Sequence, residues 1–173
     1  GNNLTVNNTP ATADVDAGTS TVELVASGGT LTVGTGADVH GDAKVTLTAD
    51  AMTINGTVTA ASTGNDSDIN LVVQPASPAR NISLGIEDGT RLSLTQSELD
   101  KFTGNALQVG NTSVGDISGA GNVTAPVGVA KLLLVSSANT IEVFNSQLAG
   151  LLAGAILPVP RVEIASFSAA SIS

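Results

Sequence analysis

The chain has 173 residues, with no cysteine, no tryptophan, no tyrosine and a net charge of −9. The lack of cysteine excludes disulfide bonds and thiolate metal sites, and the acidic balance argues against nucleic acid or an anionic membrane as a partner. No apolar run approaches the roughly 20 residues that cross a bilayer, so we expect no membrane insertion.

Apolar residues recur along the chain at a nearly constant interval. A first series, with steps of 23 to 25 residues, consists of Val22, Val45, Ile69, Leu92, Ile117, Ile141 and Ile164. A second series, with steps of 23 to 28 residues, consists of Leu31, Ile54, Ile82, Leu107, Leu132 and Leu157. Leu4 and Val6 fit an earlier turn of the second series, 27 residues before Leu31 and Val33. A third, weaker series contains Val15, Val39, Val58 and Val123.

This double periodicity predicts stacked coils. Short apolar stretches between glycine, asparagine and aspartate indicate strands whose alternate side chains point inward. One coil cannot bury its apolar face alone, so coils stack and align similar residues about 4.8 Å apart. We therefore predict an all-β fold, a right-handed parallel β-helix (β-solenoid) of about six to seven coils with 23–25 residues each. The alternative is an antiparallel sandwich, which gives no reason for the two series to keep in phase.

One segment departs from the strand pattern. Thr95 and Glu98 have the spacing of a capping box, in which each residue satisfies a backbone N–H of the other. Gly104 is a typical residue for a helix end. The sequence therefore predicts a short helix near residues 96–103.

The C-terminal part is more apolar than the rest. Residues 147–157 are almost entirely apolar, and Pro158 and Pro160 prevent a helix from continuing. We therefore divide one domain into a solenoid body, residues 1–146, and an apolar coil, cap or assembly segment, residues 147–173.

The two ends of the predicted solenoid are candidates for self-association. An uncapped end presents free N–H and C=O groups, and head-to-tail contacts that do not close build filaments. We therefore expect a head-to-tail homopolymer. The assembly candidates are Leu4, Val6, Leu151, Leu152, Ile156, Val162 and Phe167.

The chain offers few candidates for catalysis. His40 is the only histidine, and a solvated turn histidine is our interpretation, because a zinc site needs several such ligands. The carboxylate pairs Asp14/Asp16, Asp66/Asp68 and Glu87/Asp88 fall in different phases of the repeat. Glycosidases need two carboxyls at a defined separation on one face, so we assign no catalytic or cofactor-binding residue and expect no enzyme.

Calcium is the metal that the composition leaves open. Aspartate and asparagine oxygens at turns suit a hard cation, and Asp66-Ser-Asp68 is such a turn. The glycine- and aspartate-rich nonapeptide of calcium-binding β-rolls is missing, so we assign no metal ligand and no cofactor.

One stretch resembles a known protein family. Gly85–Gly104 (GIEDGTRLSLTQSELDKFTG), Ala106–Gly110 (ALQVG) and Gly115–Ile117 (GDI) resemble a segment of the filamentous-haemagglutinin-like, autotransporter-type bacterial exoproteins. There, a strand ending in Leu-Ser-Leu-Thr precedes a Ser-Glu-Leu-Asp helix and a Leu-x-Val/Ile-Gly strand. The resemblance covers about residues 69–118. It implies a secreted, right-handed β-helix that serves as an adhesin stalk or a fibre, often in a biofilm.

These observations give two functional hypotheses. The first is an extracellular structural protein of the bacterial cell surface, a fibre, matrix or adhesin stalk whose export signal has been removed. The alternative is a carbohydrate-active β-helix, either a polysaccharide lyase or hydrolase or a glycan-binding module. The expected partners are further copies of the chain, with host or cell-surface glycans as a second class.

Overall fold

The computed structural model of the protein describes residues 2–9, 14–61, 68–119, 123–124, 126–137, 141–143 and 161–166, the last two ranges as backbone alone. The first strands are β1 (Leu4–Val6), β2 (Val15–Asp16), β3 (Thr21–Val33), β4 (Asp38–His40), β5 (Lys44–Ile54), β6 (Thr57–Thr59) and β7 (Ile69–Gln74). The later elements are β8 (Ile82–Leu84), β9 (Leu92–Leu94), α1 (Gln96–Leu99), β10 (Phe102–Gly110), β11 (Ile117–Gly119), β12 (Val129–Ser136), β13 (Ile141–Val143) and β14 (Arg161–Ser166). The fold of the described residues is thus almost entirely β.

The strands form two sheets. The larger sheet has the order β1-β3-β5-β7-β10-β6-β4-β2, with β12 paired to β10 and β14 paired to β12. Its order doubles back at β10, which pairs with β7 through one part and with β6 through Phe102 and Thr103. The sheet thereby nearly closes around a common interior. The smaller sheet has the order β13-β11-β8-β9.

Every strand pair in the described residues is parallel. Parallel neighbours must be joined by long connections, because the chain has to return to the same end before it pairs again. Except in the β8–β9 pair, where Ile82 and Leu92 are ten positions apart, the paired residues accordingly lie 19 or more positions apart, as in Val22 with Val45. An antiparallel sandwich is therefore excluded for this part of the chain.

Rows of paired apolar residues fill the interior. In the larger sheet the pairings follow the row Val22, Val45, Leu71, Leu107, Leu132 and Val162. In the smaller sheet they follow the row Leu92, Ile82, Ile117 and Ile141. A third row, on the returning part of the larger sheet, consists of Val15, Val39, Val58 and Phe102. Aliphatic side chains pack well on pleated strands, and the described side chains of these rows are buried or, at Val15, partly buried against the core.

Several pairings follow the predicted intervals. Val22 pairs with Val45, Leu107 with Leu132 and Ile117 with Ile141. Leu4 pairs with Leu31 and Val6 with Val33, as the 27-residue step predicts. The third series has the predicted register as far as Val58.

Other pairings differ from the predicted series. Val45 pairs with Leu71 and not with Ile69, whose backbone lies at an irregularity opposite Ala106. Ile54 pairs with Val33, because β3 carries extra residues around Gly28, which has a φ of 70°. This irregularity shifts the register by two residues.

The two predicted series also exchange members. Ile82 and Leu92 come from different series, yet they pair with each other in the smaller sheet. Ile164 is paired with Leu134 in the larger sheet, and Val162 takes the place opposite Leu132. Phe102 takes the place in the third row that the sequence pattern gave to Val123. For Ile82 and Leu92 the physical cause is β9, which adds a strand next to β8 within a single repeat.

The helix is shorter than predicted. It spans Gln96–Leu99 rather than 96–103, because β10 begins at Phe102. Its capping box is present, with the Thr95 hydroxyl accepting from the Glu98 N–H and the Glu98 carboxylate accepting from the Thr95 N–H. Leu99 and Phe102 are almost fully buried and fill the interior at this corner.

Part of the C-terminal prediction lies outside the described residues. This concerns the candidates Leu151, Leu152, Ile156, Leu157 and Phe167, and also Asp66 of the suggested calcium turn. The backbone of β14 belongs to the larger sheet, where it continues the row of strands beyond β12.

Candidate functional site

The first candidate is an open sheet edge, which we call the first edge. It consists of β1 and of residues 21–26 of β3. Among the described residues, β1 pairs only with β3, through Leu4–Val6, and residues 21–26 pair only with β5. An unpaired edge of this kind is a template for a further strand.

The backbone of Thr5 faces outward along the first edge. The carbonyl of Val6 accepts a hydrogen bond from the N–H of Gly34 at 2.8 Å, so the peptide groups of Val6 point toward β3. Successive residues of a strand direct these groups to opposite sides, so the N–H and C=O of Thr5 point away from β3. The Thr5 side chain is exposed.

The side chains of the two assembly candidates on β1 do not face outward as Thr5 does. The Val6 side chain is buried, and Leu4 is partly buried and packs against the core. Any contact that this strand makes with another strand therefore uses its backbone rather than these two side chains.

The second candidate is the turn of residues 85–91, which joins β8 to β9 and carries a dense cluster of charges. The Ser93 hydroxyl accepts from the Asp88 N–H and donates to the Asp88 carbonyl, both at 2.8 Å. Asp88 also forms an ion pair with Arg91 at 3.1 Å, and Arg91 donates to the Ser118 hydroxyl at 2.7 Å. The turn therefore covers the outer face of the smaller sheet, which explains why Ser93 is buried.

Glu98 connects this region to the larger sheet. Its carboxylate accepts from the Thr95 N–H at 2.9 Å and from the Ile54 N–H, at the end of β5, at 3.0 Å. The residue is only 6% exposed, so these backbone donors replace the water that a surface carboxylate would bind. One side chain thus caps α1 and holds it against β5.

Glu87 of the turn lies beside Glu98. Burial raises the pKa of Glu87, and the charge of Glu98 and a hydrogen bond to its side chain raise this pKa further. Two carboxyls can share a hydrogen bond only when one is protonated. The pair therefore favours a neutral Glu87 and loses stability when Glu87 ionises.

We predict that Glu87→Gln makes the protein more stable at neutral pH. Because the pKa of Glu87 is raised in the folded state, its neutral carboxyl stabilises the fold fully below pH 4.5, the ordinary pKa of a glutamate. This stabilisation is lost as the pH rises through the folded-state pKa. The amide cannot ionise, so the variant should melt at a higher temperature than the parent at pH 7 and at a similar temperature near pH 4. Thermal melts followed by circular dichroism measure this difference.

The control is Asp116→Asn, which makes the same change in net charge at an exposed position. Equal melting shifts for the two variants would show that only net charge matters.

The Glu87–Glu98 pair does not have the geometry of a glycosidase. Those enzymes hold their two carboxyls roughly 5–9.5 Å apart, with substrate or water between them. Here the backbone N–H groups of Ile54 and Thr95 already occupy the two carboxylate oxygens of Glu98, so this carboxylate is not open to a substrate. The carbohydrate-active hypothesis gains no support from this pair.

The third candidate is the corner around His40. Its Nδ1 lies 3.0 Å from Oδ1 of Asp16, and its Nε2 lies 3.1 Å from Oδ1 of Asp42. The hydrogen bond from the Gly18 N–H and the one from His40 lower the pKa of Asp16. The Thr9 hydroxyl and N–H likewise lower the pKa of Asp14. His40 is thus bound on both sides, which its sequence position between two aspartates does not reveal.

Two further findings concern the described residues as a whole. No three His, Cys, Asp or Glu side chains among them converge in a way that would hold a metal ion. None of the helices in this part of the chain has the length and apolar character needed to cross a membrane.

Comparison with known proteins gives no relative. The chain matches no protein-family model, and no curated protein and no solved structure resembles it significantly.

Proposed function

We propose that the chain is a right-handed β-solenoid of an extracellular, bacterial cell-surface fibre, matrix or adhesin stalk, and that copies of it stack end to end. The observation that carries the proposal is the unbroken row of parallel strands from β3 through β14 together with the open first edge. In such a stack each interface repeats the pairing that already holds neighbouring strands together.

The composition of the interior rows favours a structural role for the protein. The interior rows consist of apolar residues on paired strands, aliphatic except for Phe102, so stability accumulates strand by strand and does not depend on a central ligand. Half-buried hydroxyls and amides line part of the outside, for example Thr48, which accepts from Gln74, itself bonded to Asn111. Cross-strand polar pairs of this kind stiffen a sheet without adding exposed apolar surface.

The edge predicts a specific effect of Thr5→Pro. Proline lacks an N–H but is tolerated in edge strands, and the Thr5 N–H points away from β3. The variant should therefore keep its fold and lose end-to-end association. Sedimentation velocity over a range of concentrations, with negative-stain electron microscopy, measures the loss. Thr5→Val is the matched control, because it keeps the N–H and should associate like the parent.

Two outcomes would contradict the proposal. A parent chain that remains monomeric at high concentration, without filaments in the microscope, would rule out end-to-end stacking. Association that is equally strong in Thr5→Pro would show that copies join through another surface.

A further inference from the structure

The strand β2 is short, and few contacts attach it to the rest of the sheet. Beside the pairing of Val15 with Val39 and of Asp16 with His40, backbone bonds run from the Asp14 N–H to the Asp38 carbonyl at 2.9 Å, from the Ala17 N–H to the His40 carbonyl at 3.0 Å and from the Asp42 N–H to the Gly18 carbonyl at 2.8 Å. The side-chain contact from His40 to Asp16 at 3.0 Å joins the same two strands. Since β2 pairs only with β4 among the described residues, this small set of bonds determines how firmly it is held.

The contacts of His40 specify its protonation state. A neutral imidazole has one N–H, so it donates to one carboxylate and presents a lone pair to the other. Both ring nitrogens here face carboxylate oxygens at hydrogen-bond distance. Only the imidazolium, which carries two N–H groups, donates to both.

The charges around the ring all favour this cation. Asp16 lies on β2, Asp42 follows β4, and Asp38 lies on β4 itself. On the other side of β4, strand β6 contributes the neutral Thr57 and Thr59. Asp14 adds a fourth carboxylate where β2 begins, and it accepts from the Asp38 N–H at 3.0 Å. The next basic residue along the chain is Lys44, the first residue of β5, and Lys101 lies just before β10, with its carbonyl bound to the Val58 N–H of β6.

We infer that His40 is a proton-operated clasp: as the imidazolium it donates both to Asp16 of β2 and to Asp42, whose N–H binds the Gly18 carbonyl just beyond β2, and when it loses its proton the attachment of β2 weakens. Deprotonation removes one of the two charge-assisted bonds and leaves the carboxylates of Asp16 and Asp42 with no cation between them. The attachment of β2 therefore depends on the protonation of His40.

The thermodynamic linkage between the protonation of His40 and the attachment of β2 gives the direction of the pH effect. The hydrogen bond to Asp16 raises the pKa of His40 above 6.5, despite an opposing effect of burial, and the charges of Asp16, Asp42 and Asp38 raise it further. A raised pKa means that the clasp contributes fully below pH 6.5 and is lost as the pH rises through the folded-state pKa. β2 is therefore held in mildly acidic solution and loosened in alkaline solution.

Nuclear magnetic resonance of the full chain tests the clasp directly, because His40 is the only histidine. We expect both ring nitrogens to be protonated below a midpoint that is higher than that of the same histidine in urea. The exchange protection of the Asp14 and Ala17 amides, corrected for the intrinsic pH effect, should fall with the same midpoint. The fall should be about tenfold for each pH unit that separates the folded and unfolded midpoints. The Asn55 amide, which donates to Val33, should show no such change.

Variants separate the clasp from a general effect of pH. Asp42→Asn removes one carboxylate and should lower the midpoint of His40 while leaving the fold intact. His40→Gln should make the protection of the Asp14 and Ala17 amides independent of pH. A midpoint at or below the urea value, or unchanged protection across the titration in the parent, would overturn the proposal. These measurements are made on the monomer at low concentration, so their outcome does not depend on end-to-end stacking.

Discussion

Leu107→Ala should lower the free energy of unfolding by about 2–5 kcal/mol, the range for removing a buried leucine side chain. Leu107 is fully buried and lies between Leu71 on one neighbouring strand and Leu132 on the other. Backbone ladders fix both neighbouring strands, so the surrounding residues cannot collapse easily into the space that the leucine leaves. We therefore expect a value in the upper part of the range. Urea unfolding followed by circular dichroism measures it.

The matched control is Gln108→Ala, one position further along the same strand. Gln108 points away from the interior and is half-buried, and its amide donates to the Gly110 carbonyl at 2.8 Å. We expect this change to cost about 1 kcal/mol or less, as the loss of one ordinary hydrogen bond does. A similar loss of unfolding free energy in the two variants would mean that the row through Leu107 is not the core that stabilises the strands.

Much of this architecture was predictable from periodicity. Where one repeat contributes one strand to each row, a constant interval identifies the partner, as for Val22 with Val45 and Leu107 with Leu132. The all-β class follows from the same signal, since alternating apolar residues repeat along almost the whole chain. The capping box also predicted where the helix begins, because its two side chains are close in sequence.

The interval failed where one repeat contains an additional strand. β8 and β9 are both short alternating segments, so Ile82 and Leu92 carry the same local signal. Whether they stack in separate repeats or pair with each other depends on the path of the 85–91 turn over the sheet. That path is fixed by contacts such as Ser93 with Asp88, which no spacing rule predicts.

The candidate sites were less predictable than the rows, because each depends on contacts between distant parts of the chain. The Ile54 N–H and the Glu98 carboxylate are 44 positions apart, and Asp16 and His40 are 24 apart. A single carboxylate or histidine in a sequence gives no sign of such a partner. The 24-residue step from Asp16 to His40 matches the repeat, however, so alignment of polar residues on the period is a signal that finds this pair.

Glu98→Ala should lower the free energy of unfolding by about 3 kcal/mol, because it leaves backbone donors without a partner. The Ile54 N–H is buried with its residue, and a buried donor that loses its partner costs about 1–3 kcal/mol. Loss of the capping box adds about 1 kcal/mol. Since Glu98 joins α1 to β5, we also expect faster amide exchange at Ile54 than in the parent. Urea unfolding and hydrogen exchange measure the two effects.

Ser97→Ala is the control for Glu98→Ala, since Ser97 lies on the same helix turn and its side chain is exposed, where it shares only a surface hydrogen bond with the Thr95 hydroxyl at 3.0 Å. It should change the stability by no more than about 0.5 kcal/mol, as is usual for surface positions. Glu98→Gln separates charge from connection, because its amide oxygen still accepts from Ile54 but its NH₂ group cannot accept from Thr95. We expect this variant to fall between the parent and Glu98→Ala, with exchange at Ile54 close to that of the parent. If exchange at Ile54 is unchanged even in Glu98→Ala, then Glu98 only caps the helix and does not hold it to β5.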